Sequence, residues 1–335
     1  MQSYYQASRN TQIDQPELIG DHVADVCVIG GGYTGLSTSL YLANEGVNVL
    51  LIESNQIASG ASGANGGQVS GGMRRDQFYL EKTLGVDYAK VLWGIGEKSK
   101  YHAKELIDKY QIQCDYKKGI AHPNHKQKYC EESKQYVDHM IKNYDYKDMV
   151  YLSDDEMREV TGSDTYYGGS YDEAEAHCHP LNYALGIAKA TLSAGAKIYE
   201  NSPATSYKVL DDHVKVITMN GSVKADRIVL ACNGYLGNLE KSLTSKILPM
   251  NNYIVATKPL SDEVVKKINP DNLYVISPTT LKKFAVKGNA KKDELYHRLI
   301  EDRISEDRLK PLLNVLKEYK DLWIKGAGKV ENPCS

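Results

Sequence analysis

Three glycines and one carboxylate set the first chemical expectation. Gly30, Gly32 and Gly35 stand in G-x-G-x-x-G spacing, and Glu53 follows 18 residues after the last of them. Each glycine has a use beside a polyanion: the first lets the chain turn sharply, the second puts no Cβ in the way of a pyrophosphate, and the third lets a helix pack close to a strand. Glu53 is spaced to accept hydrogen bonds from ribose hydroxyls. Its charge would repel a 2′-phosphate, so the pattern points to FAD or NAD in preference to NADP.

These residues need a βαβ unit to position them, and the flanking sequence supplies one. Residues 26–29 form an apolar run suited to a strand buried on both faces. A helix is predicted over about residues 34–45, with its unsatisfied N–H groups and positive dipole end directed at the phosphates. Gly46 ends that helix, and residues 48–52 return as a second parallel strand.

Composition bounds the rest. The 335 residues, 41% hydrophobic and 25% charged, suffice for two domains or for one large domain with an insertion. A formal net charge of −2 gives no reason to expect nucleic acid or an anionic membrane surface as a partner. No apolar run approaches the ~20 residues of a membrane-spanning helix, and the polar N-terminus has no signal-peptide core. Cytoplasmic residence is the default expectation. The six cysteines are widely and irregularly spaced without a C-x-x-C pair, which predicts free thiols, with Cys27 and Cys232 inside strands. The bias of 25 Tyr against 2 Phe has no physical account.

Along the chain, residues 1–22 read as a polar lead-in lying over the domain. Residues 57–68 are small and polar without period, suited to a loop whose backbone approaches a large polar ligand. Helical spacing runs through Leu80, Leu84, Tyr88, Val91, Leu92 and Ile95, and a second helix is predicted from about Glu97 to Tyr110. A strand and turn over 111–120 and a charged helix over 126–142 follow. His122 and His125 are expected to be solvated, since no carboxylate or thiol stands near them in sequence. Ser153 and Glu156 form a capping-box pattern. His177 and His179 lack a third ligand at a recognised spacing, so no metal site is expected. A small-residue helix over 181–194, a strand at 195–200, a hairpin over 204–219, an Asn220-Gly221 turn and a buried strand ending at Gly234 complete the pattern. One more strand is predicted over 250–258.

That order of motifs resembles the FAD-dependent oxidoreductases of the glycine and D-amino-acid oxidase (DAO) superfamily, and within it the gamma-glutamylputrescine oxidase group. The likeness is carried by Ser3-Tyr-Tyr-Gln-Ala-Ser, residues 25–35, Ser59-Gly-Ala-Ser-Gly-Ala-Asn-Gly-Gly-Gln, Gln111-Ile-Gln-Cys-Asp-Tyr and Ala176-His-Cys-His-Pro-Leu-Asn-Tyr-Ala-Leu-Gly, and covers about the first 270 residues. It implies an α/β fold with α+β elements: a Rossmann-like FAD-binding domain (1–80 and 150–240) interleaved with a substrate domain on a mixed or antiparallel sheet (81–149 and 241–280), then a divergent helical tail (281–335).

By position, the resemblance assigns Gly30, Gly32, Tyr33, Thr34 and Gly35 to the FAD pyrophosphate and Glu53 to the adenosine ribose. Ser62, Asn65, Gly66, Gly67 and Gln68 are assigned to the loop running toward the flavin, Ala204 to the adenine, and Asn233 and Gly234 to a turn facing the cofactor. The implied chemistry is oxidation of a primary amine or amino-acid-like substrate to an imine and then an aldehyde, with O2 reduced to H2O2. No side chain is assigned as an obligatory base, and neither the oligomeric state nor covalent attachment of FAD is implied.

The sequence departs from the family twice. Ala64 stands where the family loop carries arginine, removing a cation from beside the flavin or its phosphates. Residues 281–335, of which 22 of 55 are charged, match no C-terminal glycine-rich segment that closes over the flavin. The expectation is a truncated or frameshifted member. Two other readings stand beside amine oxidation: a FAD-binding remnant without turnover, and an NAD-dependent dehydrogenase, which the opening motif alone permits.

Overall fold

The computed structural model describes residues 3–247, 261–263, 265 and 274–275. The strand predicted over 250–258 and the tail over 281–335 lie outside these described residues. The helices, in chain order, are α1 (Tyr4–Ala7), α2 (Tyr33–Asn44), α3 (Gln77–Leu84), α4 (Val86–Lys109), α5 (Cys130–Tyr144), α6 (Asp154–Thr161), α7 (Pro180–Ser193) and α8 (Lys241–Thr244). The strands are β1 (Gly20–Ile29), β2 (Val49–Ile52), β3 (Gln68–Val69), β4 (Lys117–Asn124), β5 (Met149–Leu152), β6 (Tyr167–His177), β7 (Lys197–Tyr199), β8 (Ser206–Val209), β9 (Val214–Ile217), β10 (Gly221–Leu230) and β11 (Tyr274–Val275). This is the mixed α/β architecture expected.

The first sheet has the order β7-β2-β1-β10-β9-β8. β7, β2, β1 and β10 run parallel, while β9 and β8 form the antiparallel hairpin read from the sequence. Side chains alternate across it as strand geometry demands. Val28, Val49 and Leu51 enter the core shared with α2 and α7, whereas Cys27, Ile29, Leu50 and Ile52 enter the core on the opposite face with Leu18, Val216 and Val223. Burial on both faces is why residues 26–29 and 49–52 are almost uninterruptedly apolar.

The second sheet has the order β11-β4-β6-β3, with β5 also on β6. β6 is its centre, pairing antiparallel with β4 on one side and with β5 and β3 on the other. Only Cys178 and His179 separate the end of β6 from α7, whose next strand, β7, belongs to the first sheet. The second sheet therefore feeds directly into the helix layer of the first.

Several boundaries differ from the sequence reading, each for a local reason. β1 begins at Gly20 rather than Val26, because β10 offers a parallel partner from Gly20↔Gly221 to Ile29↔Leu230. The helical region breaks at Gly85, not before Glu97. Gly85 has φ +86°, and it ends α3 and precedes α4, which then runs unbroken to Lys109. Gly96 lies inside α4, and a Cβ there would collide with the backbone of Gly72. Of the residues that carry the helical spacing, Leu84, Tyr88, Val91 and Ile95 are exposed and Leu80 is buried, as is Ala89. The strand expected over 111–120 starts only at Lys117, after left-handed residues Gln111 and Asp115 (both φ +51°). The capping box of α6 is present as read: Ser153 Oγ accepts from Glu156 N, and the Glu156 carboxylate accepts from Ser153 N.

Candidate functional site

The site grows from the end of β1. Gly30, with φ +113°, sits where a Cβ would lie 2.6 Å from the Ala231 carbonyl oxygen, so β1 and β10 can close on each other only through glycine. A Cβ on Gly35 would overlap the Gly30 carbonyl, which fixes how tightly α2 packs on the strand. A Cβ on Gly32 would lie 2.7 Å from Ser62 Oγ. The first turn of α2 has N–H groups without intrahelical acceptors. The N–H of Tyr33 donates to Ser62 Oγ at 3.0 Å, and Thr34 and Gly35 follow in the same turn.

Glu53 stands one residue beyond β2 and reaches across the glycine turn. Its Oε2 accepts from Gly31 N at 2.6 Å, and its Oε1 accepts from Asn55 N at 2.9 Å and Ser54 Oγ at 3.0 Å. The carboxylate is thereby fixed beside the strand ends and retains lone pairs for a diol.

The small-residue loop is ordered by its own polar groups. Asn65 Nδ2 donates to Tyr33 Oη (3.2 Å), Ala61 O (3.1 Å) and Ser62 O (2.9 Å), while Asn65 Oδ1 accepts from Gly67 N (2.8 Å). Gly67 has φ +76°, and a Cβ there would overlap the Cys178 carbonyl. A Cβ on Gly66 would lie 2.5 Å from Tyr274 Oη. Gln68 opens β3 and pairs with His177 of β6. One stretch thus caps α2 at Ser62 and enters the second sheet at Gln68.

The remaining predicted residues lie at the same end of the first sheet. Asn233, left-handed at φ +50°, and Gly234 begin a 3-10 turn just after β10, and Ala231 N donates to Ile29 O at 2.8 Å. Ala204 follows β7 and packs on the core that holds Ile29 and Ile52. The glycine turn, Glu53, Asn233 and Gly234 thus lie at the carboxyl ends of β1, β2 and β10, where open parallel sheets bind ligands, whereas Gly66, Gly67 and Gln68 lie against the second sheet. The glycine cradle, the N-terminus of α2 and the Glu53 carboxylate fit the ADP half of FAD.

The N-terminal segment, expected as a polar lead-in over the domain and as the Ser3-Tyr-Tyr-Gln-Ala-Ser motif, also supplies side chains to this region that were not among the predicted site residues. Tyr5 Oη donates to Asn65 O at 2.7 Å. Ser8 Oγ donates to Tyr4 O at 2.7 Å and lies 3.0 Å from His179 Nε2. His179 is the N-cap of α7: its Nδ1 accepts from Asn182 N at 3.2 Å, which assigns the ring proton to Nε2, donating to Ser8. Burial lowers the His179 pKa and favours this neutral ring. The capping box of α1, Ser3 with Gln6, was the available signal. Ala64, at the place of the family arginine, lines the same cleft as Arg9 of this segment.

The second sheet holds a buried polar cluster. Lys100, only 2% exposed, places Nζ 2.8 Å from Glu97 Oε2 and donates to Tyr146 Oη at 2.9 Å. Tyr146 Oη donates to Asp172 Oδ2 at 2.7 Å. Burial raises the carboxyl pKa of both Glu97 and Asp172. His122, expected to be solvated, instead lies in β4 with Nε2 3.0 Å from Glu175 Oε2. His125 stacks near Tyr129, with ring centroids 5.1 Å apart. His177 faces Tyr274 with ring centroids 5.6 Å apart, and His179 points to Ser8, so the two do not share a ligand. Among the described residues no group of three or more His, Cys, Asp or Glu side chains is placed to hold a metal, and no helix is long and apolar enough to cross a membrane.

Comparison with known proteins agrees with this geometry. A family model described as FAD dependent oxidoreductase (DAO) matches residues 25–321, past the point near residue 270 to which the motif series extends. A probable oxidoreductase OrdL from Haemophilus influenzae is 37% identical over 279 residues, covering 82% of this chain and 65% of the relative. A gamma-glutamylputrescine oxidoreductase from Escherichia coli is 35% identical over 277 residues, covering 82% of this chain and 64% of the relative. The chain thus spans just under two thirds of the length of these relatives. The crystal structure of glycine oxidase from Geobacillus kaustophilus shares the fold, with TM-score 0.54 and 20% identity over 65% of this chain and 57% of that one. A family match across most of the sequence, joined to a glycine cradle that fits the ADP half of the cofactor, places the chain in the DAO family of FAD-dependent oxidoreductases.

Proposed function

We propose that the chain carries out FAD-dependent oxidation of a primary amine or amino-acid-like substrate of the gamma-glutamylputrescine type, giving an imine that hydrolyses to an aldehyde, with O2 reduced to H2O2. The observation that carries this reading is the loop from Ser62 to Gln68, tied at one end to the N-terminus of α2 and at the other to β6. Such a loop links a dinucleotide site to a second sheet able to hold a substrate, which a bare NAD-binding turn does not require. The 35% identity to a protein named gamma-glutamylputrescine oxidoreductase supports the substrate class.

In this reading Gly32, Tyr33, Thr34 and Gly35 surround the pyrophosphate, with backbone N–H groups of Gly32, Thr34 and Gly35 as donors, the Tyr33 N–H held by Ser62 Oγ, and Gly30 providing the turn. Glu53 takes the ribose diol, and Ala204 borders the adenine. Ser62, Asn65, Gly66, Gly67 and Gln68 lead toward the ring, and Asn233 and Gly234 face it from β10. When bound, FAD supplies the two-electron oxidation of the C–N bond and the delivery of electrons to O2. The protein's share is to orient the α-carbon, exclude water and accept a neutral amine. Residues 1–80 and 150–240 are proposed as the cofactor-binding part, with 81–149 and 241–280 as the substrate part. A cytoplasmic location is proposed on the five free thiols among the described residues.

The test is the visible spectrum of the purified chain, followed by peroxide release with a short panel of amines. Bound flavin with amine-dependent peroxide supports the proposal. Flavin without peroxide from any amine favours a non-catalytic FAD-binding remnant. A protein that stays colourless with added FAD and reduces NAD would overturn it in favour of a dehydrogenase.

A further inference from the structure

We propose that Cys114 and Cys178 are a redox-modification site, a buried dithiol that closes to a disulfide directly beneath the cofactor loop. The two are 64 residues apart in sequence, yet the fold brings them together. Cys178 occupies the junction between β6 and α7, and Cys114 the turn that enters β4. His179 N donates to Cys114 O at 2.7 Å, which holds the backbone of Cys114 against the peptide joining Cys178 to His179. Both side chains are buried in the same apolar core, 1% and 8% exposed. The two thiols interact with each other in that core, which lowers the Cys114 pKa and raises that of Cys178.

This contact divides the roles. Accepting the Cys178 proton stabilises the thiolate form of Cys114, while Cys178 is held as a thiol until it is needed. With a peroxide as oxidant, the Cys114 thiolate attacks one oxygen, the O–O bond breaks, and a sulfenic acid forms as hydroxide leaves. Cys178 sulfur then attacks the sulfenic sulfur, the S–O bond breaks, and the Cys178 proton leaves with the hydroxyl as water. The sum is two thiols and one hydrogen peroxide giving one disulfide and two waters. Cys27 offers the contrast: it is fully buried, and desolvation pushes its thiol up to about 12, so it stays inert.

The position gives the bond a consequence. Cys178 N donates to Gly67 O at 2.9 Å, and the next residue but one, Pro180, accepts from Tyr33 Oη at 3.1 Å. Closing the disulfide would tie the 111–116 turn to the strand end that supports the 62–68 loop. The chemistry needs only a peroxide of any origin and does not depend on the proposed amine oxidation.

The experiment uses the full chain, reduced, freed of reductant and exposed to a few equivalents of added hydrogen peroxide without any amine. The chain is then denatured, alkylated with N-ethylmaleimide and weighed, and a non-reducing peptide map is taken. Two fewer alkylated cysteines, a linked pair of peptides containing Cys114 and Cys178, and recovery on adding dithiothreitol are expected. Cys114→Ser and Cys178→Ala should each abolish the linked peptide, while the map of the unmutated chain decides the matter even where a variant does not fold. Full alkylation at a peroxide dose that oxidises a free cysteine-containing peptide would overturn the proposal, as would a link mapping to any other pair.

Discussion

At the scale of single residues, the site depends on atoms that are absent. Gly35 is the sharpest case, because any Cβ there meets the Gly30 carbonyl inside the turn itself. Gly35→Ala should cost about 1–3 kcal/mol through overpacking; the expected result is a lower Tm and a chain that no longer retains FAD through gel filtration. His179 supplies a second test. Its folded pKa lies below the ordinary 6.5, so the folded state binds fewer protons than the unfolded state just beneath that value. Its contribution is complete above the unfolded pKa and declines as pH falls toward the folded one. His179→Asn keeps an N-cap acceptor but cannot titrate, and should show a shallower fall of Tm between pH ~7 and ~5.5 than the parent chain. The glycines and Glu53 were legible because their job is local, set by spacing along one βαβ unit. The pairing of His122 with Glu175, 53 positions away, was not, since only the ladder of β4 on β6 creates it.

At the scale of elements, α4 shows how a periodic pattern can mislead. Its apolar residues are real, but Gly85 resets the helix phase, and packing of Gly96 on Gly72 selects which stripe turns inward. The chosen face carries Lys100. Lys100→Met should destabilise by about 3–5 kcal/mol, because Glu97 and Asp172 are left buried without their cation; chemical denaturation measures this directly. By contrast, the α6 capping box needed four residues and no tertiary partner, and so could be read from sequence. The segment from Ser3 to Asn10 braces the 62–68 loop, proposed above to run toward the cofactor. Tyr5→Phe removes the bond to Asn65 O, and a loss of ~1 kcal/mol should weaken FAD binding about fivefold in a flavin-fluorescence titration. This brace was hidden from sequence reasoning because its partners, Asn65, His179 and Asn182, are distributed over two other elements.

At the scale of the whole molecule, parallel strands buried on both faces leave a recognisable signature, and the two strands of the βαβ unit were correspondingly open to inference, though the order of the whole sheet was not. The second sheet mixes strand directions and carries register shifts where β4 pairs with β6, and its register comes from long-range pairing that no local pattern encodes. A ligand gripped by the strand ends of the first sheet should stabilise the assembled fold: FAD at ~100 times its Kd adds about 2.7 kcal/mol, so Tm should rise by a few degrees in a thermal melt with FAD and not with NAD. The two-residue link between β6 and α7 has one more implication. A ligand on the second sheet that shifts this link would change the hold of the first sheet on its own ligand, and the first ligand would then alter the affinity of the second by the same factor.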